Sequence, residues 1–183
     1  MTSIIVIAAI AAVLVIWFIS VQRKLVNKDE LCRNSMSQIG VQQNSRWDAV
    51  SALVELTRSY NEHEYNTLRD VIAQRREIVG TSSAEEASAQ EDLLGSALSR
   101  INLVAEQYPQ LKADQTYART MESINQYENN VRVSRMVFND AVTAYNRLVR
   151  QFPDSIVAGA LHFAVKEYLK EPAGKTDMPP VKF

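Results

Sequence analysis

The sequence predicts an all-α chain: an N-terminal transmembrane helix continuing into a long antiparallel bundle of about four helices in up-down order. Three observations lead there. First, every side chain from Ile4 to Ile19 is apolar, and no charge appears before Arg23. At about 1.5 Å per residue, the uncharged stretch 1–22 makes about 33 Å of helix, enough for a hydrocarbon core of ~30 Å. Second, all five prolines lie at or after Pro109, and only Gly40, Gly80 and Gly95 interrupt the first hundred residues. Third, apolar side chains recur three and four residues apart through most of the remainder, and no alternating β-branched run suggests a strand.

The chain divides into an anchor (1–22), a helical bundle (23–153) and a C-terminal capping segment with an extended tail (154–183). Ile4, Ala8, Ala12, Ile16, Trp17 and Ile19 mark the span. A signal peptide would need a basic start and a small-residue cleavage site. Met1-Thr2-Ser3 has no side-chain cation, and Trp17-Phe18-Ile19-Ser20-Val21 is a poor cleavage site, so a retained anchor is expected. Arg23, Lys24, Lys28 and Arg33 follow the span, which by the positive-inside rule puts the body in the cytoplasm and the N-terminus outside. Ala8 and Ala12 form a small-xxx-small pair that could let two spans approach, although filler in an apolar helix is the favoured reading.

The first helix is expected to run on from the membrane to about Tyr60, with Leu25, Cys32, Met36, Ile39, Val50, Leu53, Thr57 and Tyr60 on one stripe that Trp47 and Val54 widen. The polar Gln42-Gln43-Asn44-Ser45 interrupts that stripe and predicts a less buried middle. A bend is favoured near 59–64, with Asn61 capping a new helix and Glu62 and Glu64 in its first turn. Tyr65, Leu68, Ile72, Arg75 and Val79 then form a stripe ending at Gly80, a C-cap candidate. Residues 81–90 read as a polar connection.

The third helix is expected from about Ser88 to Tyr108, stopped by Pro109, with Asp114 capping the fourth. Ile101 and Val104 on the third helix join a seam that continues through Ile124, Tyr127, Val131, Phe138, Tyr145, Leu148 and Phe152 on the fourth. Arg119, Arg132, Arg135, Arg147 and Arg150 fall off that seam and read as a solvated face. Pro153 ends the helix. Residues 156–163 are short and apolar, an interfacial or core-capping segment rather than a second span. In the tail beyond, Val181 and Phe183 are candidate partner contacts.

With 20 basic against 21 acidic residues, the charge balance gives a nucleic-acid partner no electrostatic support. The lone Cys32 excludes an intrachain disulfide and reads as a buried structural thiol. His63, between Glu62 and Glu64, is the best metal candidate, but it lacks the second histidine of H-E-x-x-H. A polar cluster at a helix start, open to a partner through His63 and Glu64, is the simpler reading. Glu85-Glu86 and Glu91-Asp92 lie in polar surroundings and read as solvated surface. No Gly-rich phosphate loop is present, so no cofactor, metal or catalytic residue is expected.

Taken in order, several clusters resemble the LemA family of bacterial membrane proteins: Arg46-x-Asp48, Leu53-Val54 and Tyr60-x-x-His63-Glu64; Leu98-Ser99-Arg100 and Glu106-x-Tyr108-Pro109-x-Leu111-Lys112-Ala113; Asn139-Asp140-Ala141-Val142-x-x-Tyr145-Asn146, Phe152-Pro153, Ala158-Gly159 and Phe163; and Pro180-Val181-x-Phe183. Ser51 and Ala52 depart from the family's usual proline and asparagine, and Ser59 from its glycine. The resemblance implies one N-terminal span in the bacterial cytoplasmic (inner) membrane and a cytoplasmic helical bundle without a known enzymatic activity or cofactor.

The function expected from these features is a non-enzymatic, membrane-anchored scaffold or adaptor. Its partners would be the lipid bilayer and a second copy or another membrane protein. A membrane-shaping role through higher-order oligomers is the alternative. A metal-dependent hydrolase with a bundle-core site is the less favoured third, because the seam is apolar where such a site needs inward carboxylates.

Overall fold

The computed structural model describes residues 1–170; Val181 and Phe183 lie outside the described residues. Six helices and no strand are found among them: α1 Thr2–Thr57, α2 Glu62–Ile72, α3 Ala84–Gln107, α4 Pro109–Lys112, α5 Gln115–Arg150 and α6 Asp154–Ala160. The all-α class follows directly from the scarcity of breakers before Pro109.

α1 is continuous for 56 residues, about 84 Å at the usual rise. Its side chains from Thr2 to Ser20 are exposed apart from a half-buried Trp17. Burial begins at Val21 and follows the stripe Leu25, Cys32, Met36, Ile39, Trp47, Val50, Leu53, Val54 and Thr57. The apolar start is long and hydrophobic enough to cross a membrane.

The helices run up, down, up and down. The chain turns at residues 58–60, and Asn61 caps α2 by accepting the Glu64 amide at 3.1 Å. α2 descends beside α1, with Tyr65 bonded to Glu55 and Arg75 reaching back to Asp48 and Asn44. α3 rises parallel to α1, held by Gln43 to Ala87 and Arg46 to Glu91. α4 makes the upper turn. Asp114 then caps α5 through the Thr116 and Tyr117 amides at 2.6 and 3.3 Å. α5 descends antiparallel to α1, as the pairs Arg46–Glu128 and Gln42–Asn130 show.

The upper core joins Trp47, Val50, Leu53, Val54, Leu68, Leu94, Ile101, Val104, Leu111, Tyr117 and Ile124. A second cluster below it joins Cys32, Met36 and Ile39 to Ile78, Phe138, Ala141, Val142, Tyr145 and Leu169. The lowest joins Val21 and Leu25 to Val157 and Ala158. In the lower two clusters, α1 is covered by α5, α6, residues 163–170 and, in the middle cluster, Ile78 and Ala87.

Several expectations are corrected. α2 ends at Ile72, and Gly80 caps no helix. Residues 73–83 instead cross α1 as an irregular strap that buries Ile78 among Cys32, Met36 and Ile39 and leaves Val79 exposed. Arg75, placed on the stripe, spends its charge on α1 and cannot anchor a core face. α3 starts at Ala84, four residues before the expected start, because Ser83 and Glu86 form a capping box with bonds of 3.0 and 2.8 Å. α5 stops at Arg150, so Phe152, expected at the seam, lies beyond the helix and is 77% exposed. The other seam residues are buried except Tyr127 and Leu148, which are half-buried.

α6 closes with a Schellman motif: the Phe163 amide bonds the Ala158 carbonyl at 2.9 Å and the His162 amide bonds the Gly159 carbonyl at 3.2 Å. His162 has φ 58°, the left-handed region that glycine occupies without cost. We expect His162→Gly to stabilise the body by about 0.5–1 kcal/mol, seen as a higher melting temperature, because the relieved strain exceeds glycine's greater unfolded entropy. A lower melting temperature would show that the imidazole makes a contact worth more than the strain.

Candidate functional site

A cleft of about 780 Å³ is lined on α1 by Arg46, on α2 by Glu64, on α3 by Glu91, Arg100 and Leu103, and on α5 by Glu128. Its floor is an ion-pair network. Arg46, 3% exposed, places Nη1 2.6 Å from Glu91 Oε1 and Nη2 3.4 Å from Glu128 Oε2. Gln43, one turn earlier on α1, donates to the Ala87 carbonyl at 3.2 Å and to Glu91 Oε2 at 3.3 Å. Arg46 Nε, Gln43 Oε1 and Trp47 Nε1 are buried with no hydrogen-bond partner among the described residues. The network therefore ties α1 to both α3 and α5 with one guanidinium.

On the rim, Arg100 Nε donates to Glu64 Oε2 at 2.8 Å, joining α3 to α2. That hydrogen bond from the guanidinium holds the Glu64 carboxyl below the usual carboxylate range. Glu64 is thus an anion at neutral pH and a poor proton donor. The cleft's two arginines are thus matched to carboxylates, and the pairs join α1 to α3 and α5 and join α3 to α2. Among the described residues, no three of His, Cys, Asp and Glu come together as a metal-holding group.

His63 is exposed on α2 and is not among the residues lining the cleft, while its neighbour Glu64 is. Two expectations about charge are overturned here. The polar stretch around Gln43 is among the most buried parts of α1, and Glu91 is half-buried against Arg46 rather than solvated. Periodicity could not reveal this, because the partners of Arg46 lie 45 and 82 residues away. Arg135 also leaves the solvated face and donates to the Lys170 carbonyl, whereas Arg119, Arg132, Arg147 and Arg150 are exposed.

Cys32 sits in the middle cluster, 2% exposed, and burial pushes its thiol up from the ordinary value. The reactive thiolate is therefore scarce. We expect a maleimide to label Cys32 many times more slowly in the native chain than in urea, as read by mass spectrometry. Equal rates would contradict this packing.

The LemA family model matches residues 35–183, which take in α1 from Ser35 onward and every later helix. The chain belongs to the LemA family. It is also 35% identical over 83 residues to the magnetosome proteins MamQ 1 and MamQ 2 of Paramagnetospirillum magneticum, a stretch covering 45% of this chain and 30% of theirs. MamQ of Magnetospirillum gryphiswaldense is 34% identical over a stretch of the same length. The matched part thus spans less than a third of the curated relatives' length. LemA family membership and the apolar start of α1 together indicate a membrane-associated protein.

Proposed function

We propose that this LemA-family chain is a non-enzymatic, single-pass membrane scaffold whose body lies on the cytoplasmic side of a bacterial inner membrane and self-associates. The observation that carries this reading is the continuity of α1: one helix supplies both the apolar span and the central member of the bundle. Any position or tilt that the span adopts is passed to the body without a hinge. The basic cluster Arg23, Lys24, Lys28 and Arg33 immediately after the span supports the cytoplasmic side.

Support for self-association comes from α5. Val133, Met136 and Val137 lie at i, i+3 and i+4 and are all exposed, an apolar row on the outside of a bundle whose inner seam is already filled. A second copy that pairs this row would bury it. The paired arginines and carboxylates of the cleft support a structural rather than a catalytic reading.

Cysteine cross-linking at Met136, carried out in membranes on a Cys32→Ser background, tests the proposal. Cross-linked oligomers are expected, and their loss on Val133→Glu with Val137→Glu. Monomer alone, with no cross-linked partner, contradicts self-association. Protease protection of the body in spheroplasts supports the cytoplasmic side, and its digestion in intact spheroplasts contradicts it.

A further inference from the structure

The lowest turn of the body, residues 151–162, leaves apolar side chains exposed: Phe152 is 77% exposed, Ile156 57% and Leu161 38%. Its height is set by its neighbours. α5 descends along α1 until Leu148 and Val149 reach the cluster of Val21 and Leu25, which also takes in Val157 and Ala158 of α6, with Trp17 at its edge. The chain then climbs again. The Tyr145 hydroxyl donates to the Ala164 carbonyl, Asn146 exchanges two hydrogen bonds with Lys166, and Asn139 exchanges two with Leu169. Residues 151–162 are therefore the turning point, beside Trp17–Leu25 of α1.

That stretch of α1 rises only about 12 Å, and within it the apolar run gives way to Arg23 and Lys24. If α1 spans a bilayer, this is the level of the headgroups. Phe18 and Ile19 on the end of the span are exposed at the same level, so the uncovered apolar surface of the turn is continuous in height with a surface that lipid covers. Arg147 and Arg150, exposed in the last turn of α5, join Arg23 and Lys24 as cations around it.

We infer that the α5–α6 turn is a second membrane contact, in which Phe152, Ile156 and Leu161 enter the headgroup boundary and the surrounding arginines and lysines meet anionic phospholipid. It rests on the reading of α1 as a bilayer span. Two contacts, the span and this foot, would fix how the body is rotated about the axis of α1, which a single helix cannot do. Side chains of this type seat shallowly and reversibly in an interface.

The full chain, on a Cys32→Ser background and reconstituted in vesicles of phosphatidylcholine and phosphatidylglycerol, carries one nitroxide at a time at Ile10, Ile156 or Gln110, which is exposed at the far end of the bundle. Collision with oxygen, which partitions into lipid, is compared with collision with a water-soluble nickel chelate. The oxygen-to-nickel ratio at Ile156 is expected to exceed that at Gln110 several-fold and to approach that at Ile10. A water-like Ile156 beside a lipid-like Ile10 overturns the foot alone, whereas a water-like Ile10 overturns the anchor itself. Spin–spin broadening at Ile156 would show a second copy covering the turn and would also overturn the inference. With the label at Leu161, Phe152→Asp with Ile156→Asp is expected to turn that site water-like; both side chains are exposed, so the core is untouched. An unchanged lipid-like ratio at Leu161 would show that these two side chains do not hold the turn in the membrane.

Discussion

Arg46→Met will cost the body about 3 kcal/mol, the scale on which removal of one partner of a buried ion pair strands the other. The stranded group is chiefly Glu91, whose carboxylate keeps only the 3.3 Å bond from Gln43 once the guanidinium is gone. Methionine preserves much of the arginine's volume, so the loss reports the charge rather than a cavity. The double variant Arg46→Met with Glu91→Leu should recover most of the stability, because an apolar pair of similar volume removes the uncompensated charge. Gln43 would still hold the Ala87 carbonyl in that variant. Urea unfolding of the detergent-solubilised chain, followed by helical circular dichroism, measures both. Single and double variants equal to wild type would mean that Arg46 is solvated and that the cleft floor is not a network.

Gly40→Ala is the second large effect. A β-carbon on Gly40 would lie 1.9 Å from the carbonyl oxygen of Ile78 and 2.8 Å from its carbon. Both are backbone atoms, so no rotamer change relieves the clash, and the strap must lift from α1. Alanine alone would favour the helix by roughly 1 kcal/mol. Against that stands the burial of Ile78, which is only 4% exposed, at about 2–3 kcal/mol together with the strain of overpacking. The net expectation is a loss of about 2 kcal/mol, with faster hydrogen exchange confined to residues 73–83 and the adjoining face of α1. A stabilised Gly40→Ala would mean that the strap does not cross there. Gly80 repeats the contact from the other side: its β-carbon would meet Ser37 Oγ at 2.8 Å and the Arg33 carbonyl at 2.9 Å.

These two sites show where sequence reading stops. What depends on neighbours within a turn or two is legible in the chain. Asn61 and Asp114 cap their helices through amides two or three residues on, and the α1 stripe from Leu25 to Thr57 is a matter of 3.6-residue period. The start of α3 was legible too, since Ser83-x-x-Glu86 carries the capping-box spacing, though the polar composition around it suggests a connection. What depends on distant partners is hidden. Nothing near Arg46 signals that Glu91 and Glu128 will neutralise it, and charge alone argues for solvent. Gly40 reads as a flaw in a helix until a backbone 38 residues later crosses it. Phe152 continues the seam's spacing on paper, but a period carries no meaning beyond Arg150, where the helix that generates it ends. The cleft was legible only through Glu64, and then as a neighbour of His63 rather than as the partner of Arg100.

The central physical claim is that membrane span and bundle core belong to one unbroken helix. A distance between nitroxides at Ile10 and Ala52, both exposed on α1, measures this directly in lipid by pulsed electron–electron double resonance. With the labelled chain diluted in an excess of unlabelled chain, so that pairs between copies do not contribute, an unbroken helix predicts a single narrow distribution centred near 63 Å, from 42 intervals at about 1.5 Å each. A broad distribution, or one centred well below that length, would mean that the rod bends or melts between lipid and bundle, and the account would be wrong.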